Sequence, residues 1–301
     1  MAIPMQPSSI PVWRVIDSGG ERRSFTLVEM MVATAIFSFM MLLLMSLVSQ
    51  SSGIWQQTNG DQQKRESARI LLQLIGRDLE GAVIPPSGSV NSNLDFQLNP
   101  TISGGNYLNP AAAFWQTTIA GTGTTNGDIE DVGYFVNWVV VDGRAHGVLC
   151  RLAIPASDPN SIFSAPMFPI RTWSQSLLNN YAPGLNDTSM GSLNAYKGLL
   201  AENILGLWIT LYNSTNGVIA SAAAPYDSRT TPQRPAYADV TVVVIDPAVA
   251  GHLSSAAAIT NCYVGAALTN ANAFVANLPA SGGIRAGAQV FTTRFQIQGS
   301  E

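Results

Sequence analysis

With 301 residues, 47% of them hydrophobic and only 11% charged, the chain can hold an apolar segment plus one sizeable globular domain, or two small ones. A formal net charge of −4 with no basic face argues against a nucleic-acid partner. Two cysteines, Cys150 and Cys262, are too few for a disulfide scaffold or a structural zinc site, and geometry alone decides whether they pair.

Residues 1–24 contain three prolines and no apolar run, so they cannot form the core of a secretory signal and are expected to stay in the cytoplasm. Arg22 and Arg23 flank that side, consistent with the positive-inside rule. Arg22-Arg23-Ser24-Phe25 also reads as the core of a twin-arginine export signal, yet Ser49-Gln50-Ser51-Ser52-Gly53 offers no Ala-x-Ala-like cut after the apolar core. From Met30 to Val48 the chain is uncharged, and as a helix rising ~1.5 Å per residue that run spans roughly 28 Å, close to the hydrocarbon thickness of a bilayer. A membrane-spanning helix is therefore predicted over 25–50. Glu29 stands at its start, where a carboxylate costs on the order of 2.5 kcal/mol or more and calls for a partner such as a free α-amino group. In a plain signal anchor, Glu29 would instead be an N-terminal cap favoured by the helix dipole.

Ser24, then Phe25-Thr26-Leu27-Val28-Glu29 and an apolar helix, resembles the class III signal of type IV prepilins and type II secretion pseudopilins. The resemblance implies that a prepilin peptidase cuts between Ser24 and Phe25 and methylates the Phe25 amine. It further implies that Glu29 neutralises the Phe25 amine of a neighbouring subunit in a helical filament. The family usually has Gly before the cut, so Ser24 is a departure expected to slow processing. The implied partners are the prepilin peptidase, other pilin or pseudopilin subunits, the inner-membrane assembly platform and membrane lipid, with no cofactor. The implied place is the bacterial cytoplasmic membrane, single-pass, N-terminus inside and head periplasmic or extracellular.

Past Val48 no proline occurs until Pro85, and Ala68, Leu71, Leu72, Ile75 and Leu79 recur at helical spacing. This predicts an amphipathic continuation over 51–84, with Lys64, Arg65, Glu66, Arg69, Arg77, Asp78 and Glu80 on the opposite face. Gly53 and Gly60 each cost roughly 1 kcal/mol against Ala in a helix, so a bend or partial melting is expected around 51–60.

Residues 85–301 read as a β-rich head. Ser89 to Gly127 is expected to be loop with short elements. Val132–Val141 is a strand with both faces apolar, hence central, followed by the hairpin turn Asp142-Gly143 and a return arm over Ala145–Ile154. Residues 155–200, rich in proline, read as an irregular insertion. Strands are predicted at Ile204–Tyr212, Val218–Ala220, Val240–Ile245 and Val290–Ile297, with a helix near Val264–Ala276. The fold class is thus α+β: a long N-terminal helix, half membrane-spanning and half amphipathic, packed on a mainly antiparallel sheet with long loops, as in pilins. Val148-Leu149-Cys150-Arg151, Glu202 to Tyr212 and Arg234-Pro235 to Val244 resemble the strand motifs of the larger minor pseudopilins of the GspJ type. The Asn/Gly/Ala-rich insertions are similar to those of cassette protein C of the Verru_Chthon type.

No catalytic constellation is legible. His146 and His252 lack metal-ligand partners at helical or hairpin spacing, and no phosphate loop or nucleophile motif occurs. Asp128, Glu130 and Asp131 offer oxygen ligands of the kind calcium takes, though a solvated turn is the preferred reading. Asn186-Asp187-Thr188 and Asn213-Ser214-Thr215 are glycosylation-type triplets. The sequence reads as a non-enzymatic prepilin-like subunit, minor or tip-located because a bulky head fits poorly at every position of a regular stack. The rival class is a membrane-anchored or exported enzyme or binding module.

Overall fold

A computed structural model describes residues 26–85, 94–102, 111–118, 129–159, 161, 173–181, 198–221 and 224–297. The chain divides into two compact units, Met1–Trp55 and Gln56–Glu301. The long helix α1 (Leu27–Glu80) crosses that division. It stays helical through Gly53 and Gly60, so the partial melting expected there does not occur.

In the first unit the side chains described along α1 are exposed, large apolar ones included, such as Leu42 at 69% and Met45 at 76%. The 26 residues Leu27–Ser52 are long and apolar enough to cross a membrane.

The second unit is α+β and holds two antiparallel sheets. The first contains β1 (Phe96–Leu98), β2 (Ala112–Thr118), β3 (Ile129–Val141), β4 (Arg144–Pro155), β5 (Leu199–Glu202) and β8 (Tyr226–Asp227), in spatial order β5-β4-β3-β2-β1-β8. The second contains β6 (Ile204–Tyr212), β7 (Val218–Ala220), β9 (Tyr237–Ile245) and β10 (Ala288–Gln296), in order β10-β9-β6-β7.

The β3–β4 hairpin is set by its turn. Asp142 and Gly143 both take positive φ, 49° and 73°, the two-residue geometry whose twist matches the flanking strands. Register then runs unbroken from Val141↔Arg144 to Glu130↔Pro155.

The core is organised by α1. Ala68, Leu71, Leu72, Ile75, Leu79 and Ala82 pack against Trp115, Tyr134, Val136 and Leu149 of the first sheet, and against Leu207, Ile209, Val240 and Val242 of the second. Each fully buried aliphatic side chain of this kind contributes about 1.5–3 kcal/mol. Side chains alternate across a strand, so the neighbours of these residues face the other way and need a second cover. On the first sheet, Phe114, Phe135, Cys150 and Leu152 are covered by Trp173 and by Leu177 and Leu178 of α2 (Gln175–Tyr181). On the second, Leu205, Trp208, Val243 and Ile245 lie under a cap that contains α3 (Pro247–Ala250), α4 (Ala257–Thr260) and α5 (Ala271–Asn277). The short helix α6 (Ile284–Gly287) leads from the cap into β10. The two-sided apolarity of β3 has its cause in this double cover.

Two residues assigned to the polar face of α1 are buried instead: Lys64 is 5% exposed and Asp78 4%. Steps of three and four from Ala68 and Ile75 reach 64 and 78, so both fall on the apolar stripe. Cys150 and Cys262 are free thiols, the first in the core under α2 and the second in the cap.

Candidate assembly site

Ser24 and Phe25, the expected cleavage pair, lie outside the described residues. Thr26 is the first residue described, and it begins α1 as a reciprocal cap with Glu29. The Thr26 N–H and Oγ1 both donate to Glu29 Oε2, at 2.9 and 3.0 Å, while the Glu29 N–H donates to Thr26 Oγ1 at 3.2 Å. Met30 N–H donates to the Thr26 carbonyl at 3.2 Å, closing the first turn. This is the Thr-x-x-Glu capping box, which satisfies backbone donors that a helix start otherwise leaves unpaired.

The box also fixes a carboxylate at the helix N-terminus, against the Thr26 N–H. Both bonds that Glu29 accepts fall on Oε2. Further along α1, the Thr34 and Ser38 hydroxyls donate back to carbonyls one turn earlier, at Met30 and Thr34, so these polar atoms are satisfied within the helix.

In the second unit a buried ionic cluster holds α1 to the first sheet. Asp78 Oδ2 accepts from the Tyr134 hydroxyl at 2.5 Å and from Arg151 Nε at 2.8 Å. The Arg151 guanidinium also reaches Glu130 at 2.7 Å, and Trp115 Nε1 donates to the Asp78 carbonyl at 2.9 Å. Burial pushes the Tyr134 phenol above its usual range, and the Asp78 carboxylate adds to the shift. Burial opposes the charge on Arg151, yet Tyr134, Asp78 and Glu130 together hold its pKa above the ordinary value. The cluster is therefore a clamp in which charged groups and hydroxyl satisfy one another.

Further along the same helix, Lys64 pairs with Asp61 at 2.8 Å and reaches the Gly287 carbonyl at 3.3 Å. Gly60 lies close to the cap: a Cβ there would come within 2.5 Å of Asp246 Oδ2. Gly76 admits the Phe295 ring in the same way, with a Cβ only 2.2 Å from it. Gly60, read from sequence as a weak point of the helix, is thus a packing position.

The oxygen-ligand candidates do not converge. Glu130 and Asp131 are successive residues of β3 and point to opposite faces. Glu130 pairs with Arg151, whereas Asp131 accepts from Gln116 at 3.2 Å in a buried network with Asp95; Asp128 lies outside the described residues. Among the described residues no three His, Cys, Asp or Glu side chains are placed to hold a metal ion. His146 lies half-buried on β4 and His252 is exposed beside α3. Asn213 folds its side chain back onto Thr215 and Gly217 in the β6–β7 turn, and Asn186-Asp187-Thr188 lies outside the described residues.

Sequence reasoning missed the clamp and the Asp95–Gln116–Asp131 network. The signal for the clamp was present in the phase of Asp78 on the apolar stripe.

Comparison with known proteins adds two findings. Residues 21–45 match the prokaryotic N-terminal methylation motif. A type IV-like pilin from Thermus thermophilus overlaps 77% of this chain and 95% of its own at 10% identity, with a TM-score of 0.31, too low to show a shared fold. No curated protein matches the chain.

Proposed function

We propose that this chain is a prepilin-like subunit, cut between Ser24 and Phe25 by a prepilin peptidase and N-methylated on Phe25. The observation that carries the reading is the match of residues 21–45 to the N-terminal methylation motif, which overlaps the helical stretch Leu27–Ser52, long and apolar enough to cross a membrane. In this reading residues 1–24 are a cytoplasmic leader, 25–50 the transmembrane segment, 51–84 the amphipathic continuation and 85–301 the head, outside the cytoplasmic membrane. The mature helix joins other pilin or pseudopilin subunits on an inner-membrane assembly platform, in a type IV pilus or type II secretion pseudopilus. The bulk of the head favours a minor or tip position over that of the repeating subunit. The role is structural rather than enzymatic.

Glu29 has two jobs in this scheme. Before assembly its carboxylate closes the capping box; in the filament its charge meets the Phe25 amine of a neighbour, a pairing strengthened by the low dielectric of lipid. Glu29→Gln separates the two, because Gln serves as well as Glu at the third position of a capping box but carries no charge. The variant is expected to insert in the membrane and be cleaved normally, yet to be missing from sheared filaments. Filaments containing Glu29→Gln at the wild-type level would reduce Glu29 to a cap and overturn the pairing.

A further inference from the structure

The second sheet ends in an open edge. β10 pairs with β9 without a bulge along its whole length, from Ala288↔Ile245 to Gln296↔Tyr237, and no strand lies on its other side among the described residues. The bonds at its two ends, Asp246 N–H to the Gly287 carbonyl and Ile297 N–H to the Ala236 carbonyl, set the phase of the ladder. Odd-numbered residues of β10 therefore bond to β9, and even-numbered ones point their N–H and C=O groups outward. Ala288, Val290, Thr292, Arg294 and Gln296 thus present a row of backbone donors and acceptors with no partner among the described residues.

Natural edges of this length are usually blunted by bulges, prolines or inward-pointing charges. This one has none of them. Its single charge, Arg294, lies on the outer face and is held by Asp239 at 2.6 Å.

The inner face of β10 is equally unfinished. Phe291 and Phe295 pack against the main core yet remain half-buried, because the sheet stops beside them. They form one wall of a groove of about 410 Å³ whose other wall is α1, with Leu72 at its base and Arg65 and Arg69 along its rim. Neither arginine makes an ion pair among the described residues, although the chain as a whole is acidic.

We infer that the β10 edge and this groove receive an extended segment of another protein whose groove-facing side chains, every second residue, include both apolar and acidic ones. Added as a strand, such a segment takes up the outward N–H and C=O groups of β10. Its inward apolar side chains cover Phe291, Phe295 and Leu72, and inward carboxylates on the same face of the segment meet Arg65 and Arg69 at the groove rim. A second copy of this chain fits less well. Antiparallel β10–β10 pairing places both helices on the same side of the joined sheet, bringing the two arginine pairs toward one another, and β10 supplies no acid to separate them.

The test uses the full chain in detergent micelles and two labelled nonapeptides, Val-Ser-Glu-Ser-Val-Ser-Glu-Ser-Val (Val/Glu) and its Lys counterpart (Val/Lys), which put Val and the charged residue on one face, with binding read by fluorescence anisotropy. The Val/Glu peptide is expected to bind, the Val/Lys peptide to bind at least about tenfold more weakly, and backbone N-methylation of the Val/Glu peptide to abolish binding. Thr292→Pro removes an outward N–H without touching the β9 ladder and is expected to abolish binding. The double variant Arg65→Glu/Arg69→Glu is expected to reverse the preference toward the Val/Lys peptide; thermal melting shows that both variants fold. Equal binding of the acidic and basic peptides, undiminished binding by Thr292→Pro, or no binding of the Val/Glu peptide would overturn the proposal. So would self-association of the chain without peptide that Thr292→Pro disrupts, which would assign the edge to a second copy.

Discussion

The two parts of α1 obey different rules. From Leu27 to Ser52 the helix is apolar on every face and exposed, so its burial has to come from lipid or from other helices. From Lys64 to Leu79 only one stripe is buried, and the protein supplies the cover itself. Both parts are helical and rich in Leu. The difference lies in phase: an all-round apolar surface has no preferred face, whereas a stripe specifies one orientation against the sheets. A chain built this way can stabilise its second unit internally while leaving its first helical half for an external environment.

The same substitution placed in each part gives the largest contrast. Ile75→Arg puts an unpaired charge where the native side chain is 0% exposed and is expected to prevent the head from folding, read as loss of a cooperative melting transition. Leu43→Arg is expected to leave that transition unchanged and to weaken membrane insertion by about 2.5–3.5 kcal/mol, read as the fraction of chain recovered in the membrane pellet. Next in size, Asp78→Ala leaves Arg151 with Glu130 as its one carboxylate partner among the described residues and takes the acceptor from the Tyr134 hydroxyl beneath the helix. It is expected to cost about 3–5 kcal/mol in urea unfolding of the full chain in detergent, with no effect on insertion.

The pH response of the head is smaller and has a definite sign. Burial pushes the Asp95 carboxyl up to about 6, aided by Asp227 and Asp131 and opposed by Gln116 and Arg229. A group whose pKa is raised on folding stabilises in its protonated form. Its contribution of about 3 kcal/mol is complete below the unfolded value of about 3.9 and is lost as the pH rises through about 6. Asp95→Asn is expected to flatten the stability profile between pH 4 and 7, measured by urea unfolding across that range. Smallest, Gly76→Ala gains helix propensity but forces the Phe295 ring away, and a net loss of about 1–2 kcal/mol is expected. An increase in melting temperature would show that the ring shifts freely.

The hairpin of β3 and β4 and the strands β6, β7 and β9 were legible because alternation, β-branched runs and Asp-Gly or Asn-Gly turns agree there. β2 was not. Its Ala-Ala-Phe-Trp-Gln-Thr-Thr holds Phe, Trp and Thr, which favour strands, but shows no regular apolar–polar alternation and lies in a stretch rich in Gly, Asn and Thr; β1 and β3 pair with it on both sides. α2 was hidden in the proline-rich stretch because seven residues carry little periodicity; Leu177 and Leu178 hold it by covering the outer face of the first sheet. The helix expected over Val264–Ala276 begins only at Ala271, where Asn270 caps it, after Gly265 with φ +55° and a 3-10 turn break the segment. At the assembly site, Glu29 was legible as an ionisable residue at an apolar helix start. Its reciprocal bonding with Thr26 was not foreseen, although Thr-x-x-Glu is itself a capping signature. Asp78 shows the limit of sorting helix residues by polarity, since phase put it in the core and Arg151, distant in sequence, made that tolerable.

Mass spectrometry of the N-terminus of the protein from its native membrane tests the assembly reading most directly. An N-methylated chain beginning at Phe25 is the expected result; an intact Met1 leader, or a chain beginning near residue 50, would contradict it.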